Sequence, residues 1–255
     1  MPTWSPSSGE IRMNEIFTLE SVVSYWDVDR DQVMTLTGVF KLLQEAAIKH
    51  ADVYGLGAKA MAAHGESWVL NRVAASIARY PRYEEKLAVR TWSAGIRGFR
   101  GYRDLRVFAG DELVVSASTL WLYINLRSKS LARVPEALAE RFPVGQAETY
   151  RADLDKMRLA PPADDAPATD VTLRYSDFDG NAHLNNTAYL DLLQTGLVRQ
   201  ALPVRPQAIE MQFLKEVPVS VPTVSVALER TATGVRFGLR SASELNAQGE
   251  LKFPD

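Results

Sequence analysis

Arg174-Tyr175-Ser176-Asp177-Phe178-Asp179-Gly180-Asn181-Ala182-His183-Leu184-Asn185-Asn186 gathers two carboxylates, an amide and an imidazole into one short segment. The alternation of Asp177, Asp179, Asn181 and His183 predicts an extended approach with these groups on one side. An amphipathic helical pattern follows at once, with Asn185 or Asn186 as its N-terminal cap. A helix start offers unpaired N–H groups and positive dipole potential, which suits a developing oxyanion. Asp, Asn and Gly clusters also build ordinary turns, so the stretch has a plain structural reading beside the chemical one.

A second copy of the stretch lies upstream. Tyr175, Asp177, Asp179, Thr187, Leu192, Leu193 and Gln194 repeat Tyr25, Asp27, Asp29, Thr37, Leu42, Leu43 and Gln44 at a constant offset of 150, with no gap. The first copy carries an apolar stripe at Val39, Leu42, Leu43, Ala46 and Ala47, ended by Gly55-Leu56-Gly57. Tyr189, Leu192, Leu193, Gly196 and Leu197 repeat that stripe in the second. A register held through strand, turn and helix implies two copies of one supersecondary unit. Asn181 and His183 correspond to Asp31 and Val33, so only the second copy carries the imidazole.

Strand patterns follow each helix. In the first copy they cover 68–78, 87–92, 102–108 and 113–126, with a hairpin turn at Ala109-Gly110-Asp111-Glu112. In the second they cover 209–215, 221–230 and 235–239, with turns expected at Thr233-Gly234 and at Asn246-Ala247-Gln248-Gly249. On that reading the last strand is short or missing and leaves a sheet edge open. The class is α+β, each half an antiparallel sheet with one long helix to cover a face. The organisation expected is a flexible leader over 1–15, an N-terminal repeat over 16–145, a linker over 146–170 and a C-terminal repeat over 171–255. The proline-rich run Ala160-Pro161-Pro162-Ala163-Asp164-Asp165-Ala166-Pro167 is the natural connection.

Bulk properties narrow the chemistry. The 255 residues are 46% hydrophobic and 24% charged, an ordinary globular composition. A net charge of -2 gives no argument for nucleic acid, and no basic run marks a membrane surface, so neither partner is expected. The absence of cysteine removes disulfides, a thiolate nucleophile and Cys-ligated zinc; three histidines (His50, His64, His183) make a His-rich metal site improbable. No apolar run reaches the roughly 20 residues needed to span a bilayer, and the start lacks a secretory signal pattern. The expectation is a cytoplasmic protein without membrane insertion. His50 and His64 are read as surface residues, and Arg97, Arg100, Arg103 and Arg106 as a solvated face around a glycine-rich turn.

From residue 17 onward the chain resembles the acyl-ACP thioesterases, bacterial members and plant fatty-acyl enzymes alike. The most specific element is Asp177-x-Asp179-x-Asn181-x-His183-x-Asn185-Asn186 leading into the second helix. Trp68-Val69-Leu70-x-Arg72, Arg79-Tyr80-Pro81 and Thr91-Trp92 preceding Arg103-Asp104 add weaker support. The resemblance implies a tandem (double) hot-dog. It also implies hydrolysis of fatty acyl thioesters on acyl carrier protein to free acid and holo carrier, ending chain elongation in fatty acid biosynthesis. No cofactor is implied. The family's catalytic Asp, Asn and His fall on Asp179, Asn181 and His183, and its Glu on Glu216. Where the plant enzymes have a Cys after that Glu, this chain has Val217, which leaves a carboxylate-based mechanism.

Asp179 or Glu216 then activates a water, or Asp179 attacks to form a transient anhydride. His183 orients the water or protonates the departing thiolate. Asn181 holds the carboxylate or the thioester oxygen. Asp177 reads as structural, because Asp27 keeps it in the copy without chemistry. The first repeat is left to shape an acyl-chain pocket. Acyl carrier protein is the expected partner, and an acidic carrier would favour a basic patch at the pocket mouth. Acyl-CoA hydrolysis, dehydration of hydroxyacyl thioesters on the same fold and a non-catalytic acyl-binding module remain as alternatives, and a homodimer is left open.

Overall fold

A computed structural model describes residues 16–140, 142–145 and 147–254; the leader expected over 1–15 lies outside the described residues. The first half runs β1 (Phe17–Val22), α1 (Leu36–Val53), α2 (Ala58–Ala63), β2 (Glu66–Ile77), β3 (Lys86–Arg97), β4 (Arg100–Ala109), β5 (Glu112–Asn125), β6 (Ser130–Leu131) and α3 (Glu136–Glu140). The second runs β7 (Ala168–Thr172), α4 (Ala188–Arg199), β8 (Ala208–Phe213), β9 (Thr223–Thr231), β10 (Gly234–Ser241) and β11 (Glu244–Lys252).

The strands form one sheet in the order β1-β3-β4-β5-β2-β8-β11-β10-β9-β7, with β6 hanging on β5. Read from either end the order is the same, so the halves are related by a pseudo-two-fold through the β2–β8 seam. That seam is antiparallel, from Arg72 opposite Gln212 to Ser76 opposite Ala208. Antiparallel pairing of equivalent strands is what a two-fold requires.

Both long helices are held by the predicted stripes. Val39, Leu42, Leu43, Ala46 and Ala47 are buried in α1, and Tyr189, Leu192, Leu193, Gly196 and Leu197 in α4. Thr35 caps α1 by accepting from the Gly38 amide at 2.9 Å. A Cβ at Gly196 would lie 2.8 Å from Cγ1 of Val226, so its absence lets α4 approach β9 closely. Val73, Ala75 and Ile77 of β2 join both helices in one continuous core. Ala74, on the opposite parity, packs with Leu120, Leu154 and Met157 on the other face. The result is a tandem hot-dog.

The segment expected as linker is tied down. Leu154 and Met157 are buried, Arg72 donates to the Leu154 carbonyl at 2.6 Å, and Gln248 donates to that of Leu159 at 2.9 Å. Its last residues already belong to β7.

The second sheet is complete, which corrects the expectation of a short or missing final strand. Asn246-Ala247-Gln248-Gly249 is not a turn; it lies inside β11, which pairs with β10 on one side and β8 on the other. The turn falls earlier, between Ser241 and Glu244, where Ala242 adopts φ 51°. The sheet edges are β1 and β7.

Candidate active site

The two copies of the acidic turn superimpose bond for bond. In the second, the Asp179 amide donates to the His183 carbonyl (2.9 Å) and the Ala182 amide to that of Asp179 (3.0 Å). In the first, the Asp29 and Gln32 amides donate to Val33 (2.9 Å) and Asp29 (3.0 Å). Ala182 and Gln32 both sit at positive φ, 60° and 58°. Oδ1 of Asp179 accepts from the amides of Asn181 (2.8 Å) and His183 (3.5 Å), as Asp29 does from Asp31 (2.9 Å) and Val33 (3.3 Å). This carboxylate therefore closes the turn in both copies.

What distinguishes the second copy is carried by two side chains. Leu184 donates to the Val217 carbonyl at 2.8 Å, as Met34 does to that of Pro81, so Glu216 occupies the place of Tyr80. His183 and Glu216 thus replace Val33 and Tyr80, and Nε2 of His183 lies 3.2 Å from Oε2 of Glu216. Both side chains are partly exposed, at 36% and 55%. In the first copy the turn is locked instead: Arg205 donates to Asp29 (2.5 Å) and Asp31 (2.8 Å).

The Glu216 loop is anchored from beneath. Val217 is fully buried. Asn246, also fully buried, donates to the carbonyls of Lys215 (3.4 Å) and Glu216 (3.5 Å) and accepts from the Ser241 amide (2.6 Å). Tyr189 donates to the Lys215 carbonyl at 3.4 Å and meets the Phe213 ring edge-on at 5.4 Å. Burial, together with the neighbouring Glu216 carboxylate, pushes the Tyr189 phenol well above its ordinary range. Sequence reasoning saw Tyr189 only as part of a stripe; its difference from its counterpart Val39 was the available signal.

Of the four residues expected to act together, the structure brings His183 and Glu216 into contact. It links Asp179 to them through the backbone and leaves the Asn181 side chain exposed. Asp177 is buried and paired with Arg174 at 2.8 Å. Asn185 accepts from both the amide and the hydroxyl of Thr187 at 2.9 Å, closing the start of α4. Among the described residues no three His, Cys, Asp or Glu side chains form a metal-ligand set.

Two cavities lie on the helix-facing side of the sheet, and the smaller reaches the start of α4. A small one of about 30 Å³ is walled by Asn186, Thr187 and Phe213 from the second half and by Phe40, Leu43 and Gln44 from the first. A larger one of about 140 Å³ lies within the first half, between α1, α2 and the sheet. They share Ala47 and Trp121 as walls.

Two expectations fail here, at His50 and in the arginine face. His50 is buried rather than at the surface: its Nδ1 lies 2.7 Å from Nη1 of Arg103, and its ring stacks on Phe17. Burial, reinforced by Arg103, lowers its pKa to about 3. His64 is half-buried after α2. Arg103 is not solvated but buried, and Arg106 is half-buried over the Trp92 ring with Asp104 at 3.3 Å.

Comparison with known proteins gives a consistent result. The family model for the acyl-ACP thioesterase N-terminal domain matches residues 14–142, and that for the C-terminal domain matches 162–249. The chain is 24% identical over 248 residues to the chloroplastic acyl-[acyl-carrier-protein] hydrolase FATB2 of Cuphea viscosissima, covering 92% of this chain and 56% of that protein. It is 26% identical over 263 residues to the chloroplastic palmitoyl-acyl carrier protein thioesterase of Arabidopsis thaliana, covering 94% and 61%. The chain thus spans little more than half the length of these curated relatives. Among solved structures, an acyl-ACP thioesterase from Bacteroides thetaiotaomicron aligns with TM-score 0.77 at 20% identity, covering 94% of this chain and 98% of that one. The 12:0-ACP thioesterase from Umbellularia californica aligns with TM-score 0.81 at 17% identity, covering 94% and 97%. The tandem hot-dog is the shared architecture.

Proposed function

The chain belongs to the acyl-ACP thioesterase family, and from that premise we propose that it hydrolyses fatty acyl thioesters of acyl carrier protein. Free fatty acid and holo carrier protein are released, which ends chain elongation in fatty acid biosynthesis; the setting we assign is the cytoplasm. The observation that carries this reading is the His183–Glu216 pair at 3.2 Å, present in one copy of a duplicated turn and replaced by Val33 and Tyr80 in the other.

A thioester lacks amide resonance, so hydrolysis needs a positioned water and a stabilised oxyanion more than an extreme base. In this reading Glu216 and His183 share the proton taken from the attacking water, and His183 returns it to the departing thiolate. Asp179 holds the amides of Asn181 and His183 in place, the task Asp29 performs where no imidazole is present. The exposed Asn181 amide faces the thioester oxygen. The acyl chain passes Asn186 and Phe213 and continues past Trp121 into the cavity of the first half.

Thiol release from acyl carrier thioesters and matching CoA esters tests the proposal directly. Hydrolysis of the carrier esters is expected. Enoyl thioester product would establish a dehydratase, and tight binding without thiol release would establish an acyl-binding module.

A further inference from the structure

The start of each long helix meets a glutamine from the opposite half, and the two contacts are not equivalent. Gln194 of α4 reaches the start of α1, where its Oε1 accepts from the amide (3.3 Å) and the hydroxyl (3.4 Å) of Thr37. Its Nε2 donates to the Val204 carbonyl at 3.1 Å, so both ends of this carboxamide are used. The repeat sets Gln44 of α1 against Thr187 in the same way. There, however, the Thr187 amide and hydroxyl both donate to Asn185, each at 2.9 Å. Asn185 stands where the first copy has Thr35, and its side chain takes the acceptor's place that Gln194 fills in the other half.

Gln44 is thereby released from holding the helix start. Its Nε2 keeps one long contact, 3.5 Å to Oδ1 of Asn185. A carboxamide carries two N–H donors and an acceptor oxygen. One N–H and Oε1 of Gln44 therefore have no protein partner among the described residues. The side chain is half-buried and walls the small cavity together with Asn186 and Thr187. In the first copy the place of Asn186 is taken by Leu36, which is fully buried. A polar helix start, a spare carboxamide and an imidazole thus occur together around the His183–Glu216 pair. The backbone ties them: His183 and Asn185 flank Leu184, whose amide donates to the Val217 carbonyl (2.8 Å), next to Glu216.

A thioester carbonyl accepts hydrogen bonds and donates none, so what it needs from the protein is an N–H. That need grows as its oxygen takes up charge during attack, and a donor already in place costs no reorganisation. We propose that Gln44 is a catalytic residue supplied by the first half. Its free Nε2 hydrogen donates to the thioester oxygen, alongside Asn181, where the acyl chain enters the small cavity. The active site then lies across both halves, and the first half contributes to the chemistry as well as to the acyl-chain space. The inference rests on the thioesterase reading and names a further participant in it.

Steady-state thiol release from an acyl carrier protein thioester, measured beside urea unfolding of the full chain, tests it. Gln44→Met removes the carboxamide at nearly constant length. It should lower kcat roughly 10²-fold with KM changed by less than about threefold, the pattern of a bond made in the transition state. Gln194→Met is the internal control. It loses three hydrogen bonds, so it should shift the urea midpoint further than Gln44→Met while keeping kcat within about threefold. Gln44→Glu keeps the size and removes the donor; it should lower kcat as Gln44→Met does, and it decides the matter if Gln44→Met fails to fold. A kcat within about threefold of wild type in either Gln44 variant overturns the proposal. An equal loss of kcat in Gln194→Met does the same, because both glutamines would then be supports of the α1–α4 interface. Wild-type protein that releases thiol from no ester removes the thioesterase reading itself, a result the variants cannot mimic.

Discussion

His183 and Val33 occupy one position in two copies of one turn, and the backbone around them is the same to within a few tenths of an ångström in hydrogen-bond length. The turn therefore folds with or without the imidazole. His183→Ala and Glu216→Gln are expected to lower kcat by roughly 10²- to 10⁴-fold while leaving the thermal midpoint nearly unchanged, since both side chains are substantially exposed. Removing the turn carboxylates should act differently. Asp179→Ala loses two amide contacts and should cost about 1–2 kcal/mol in urea unfolding, whereas Asp29→Ala loses the same contacts and its Arg205 pair and should cost at least as much, but only Asp179→Ala should reduce turnover. An inactive Asp179→Ala of unchanged stability would instead put Asp179 in direct contact with substrate. His50 supplies a pH prediction. Its folded pKa of about 3 lies below the unfolded value near 6.5, so its contribution is fully present above pH 6.5 and is lost as pH falls toward 3. That amounts to about 2 kcal/mol at pH 5, and His50→Gln should flatten this part of the pH–stability curve. The polar cluster at 177–183 was legible from its density, but the extended path expected for it was not, because Ala182 at φ 60° folds it into a turn. His50 was misjudged by residue type, although the α1 stripe through Leu43 and Ala46, carried one turn further, reaches it.

At the scale of elements, β11 shows how turn chemistry can mislead. Asn246-Ala247-Gln248-Gly249 has the composition of a loop, yet its side chains find partners within the fold: Asn246 accepts from Ser241 and donates to the Glu216 loop, and the Gln248 amide N–H donates to the Leu159 carbonyl. The true turn at Ser241–Glu244 has neither Gly nor Asn to mark it. Gly249 is in β11 because a Cβ there would fall on the Glu210 carbonyl oxygen and the Phe237 ring. Gly249→Ala should therefore destabilise by about 2 kcal/mol or more, read from the urea midpoint. Gly180→Ala, with open space around its Cα, serves as the control and should stay within about 0.5 kcal/mol. The helices were legible in advance because their stripes repeat at a fixed offset. The path of 146–170 was not, since burial of Leu154 and Met157 depends on a sheet face assembled from distant strands.

For the whole molecule, the internal repeat was the decisive clue: it required two equivalent halves, and the strand order honours that. It could not reveal the seam, because pairing of β2 with β8 joins residues more than a hundred positions apart. Docking of a carrier protein belongs to this scale. Arg97 and Arg100 lie at the β3–β4 hairpin, stacked over Tyr102 (5.2 Å) and Phe99 (4.3 Å), and Tyr102 lines the larger cavity. Reversing both to Glu should raise KM for carrier-bound substrate more than for the CoA ester. Equal effects would remove this surface from the docking site. The seam has a further consequence. Two separate chains meeting across β2 and β8 would share one gene, so every substitution would appear in both and neither could surrender its imidazole without the other. Covalent tandem joining frees each half to drift alone, so the lining of the first-half cavity can change while the His183–Glu216 turn of the second stays as it is.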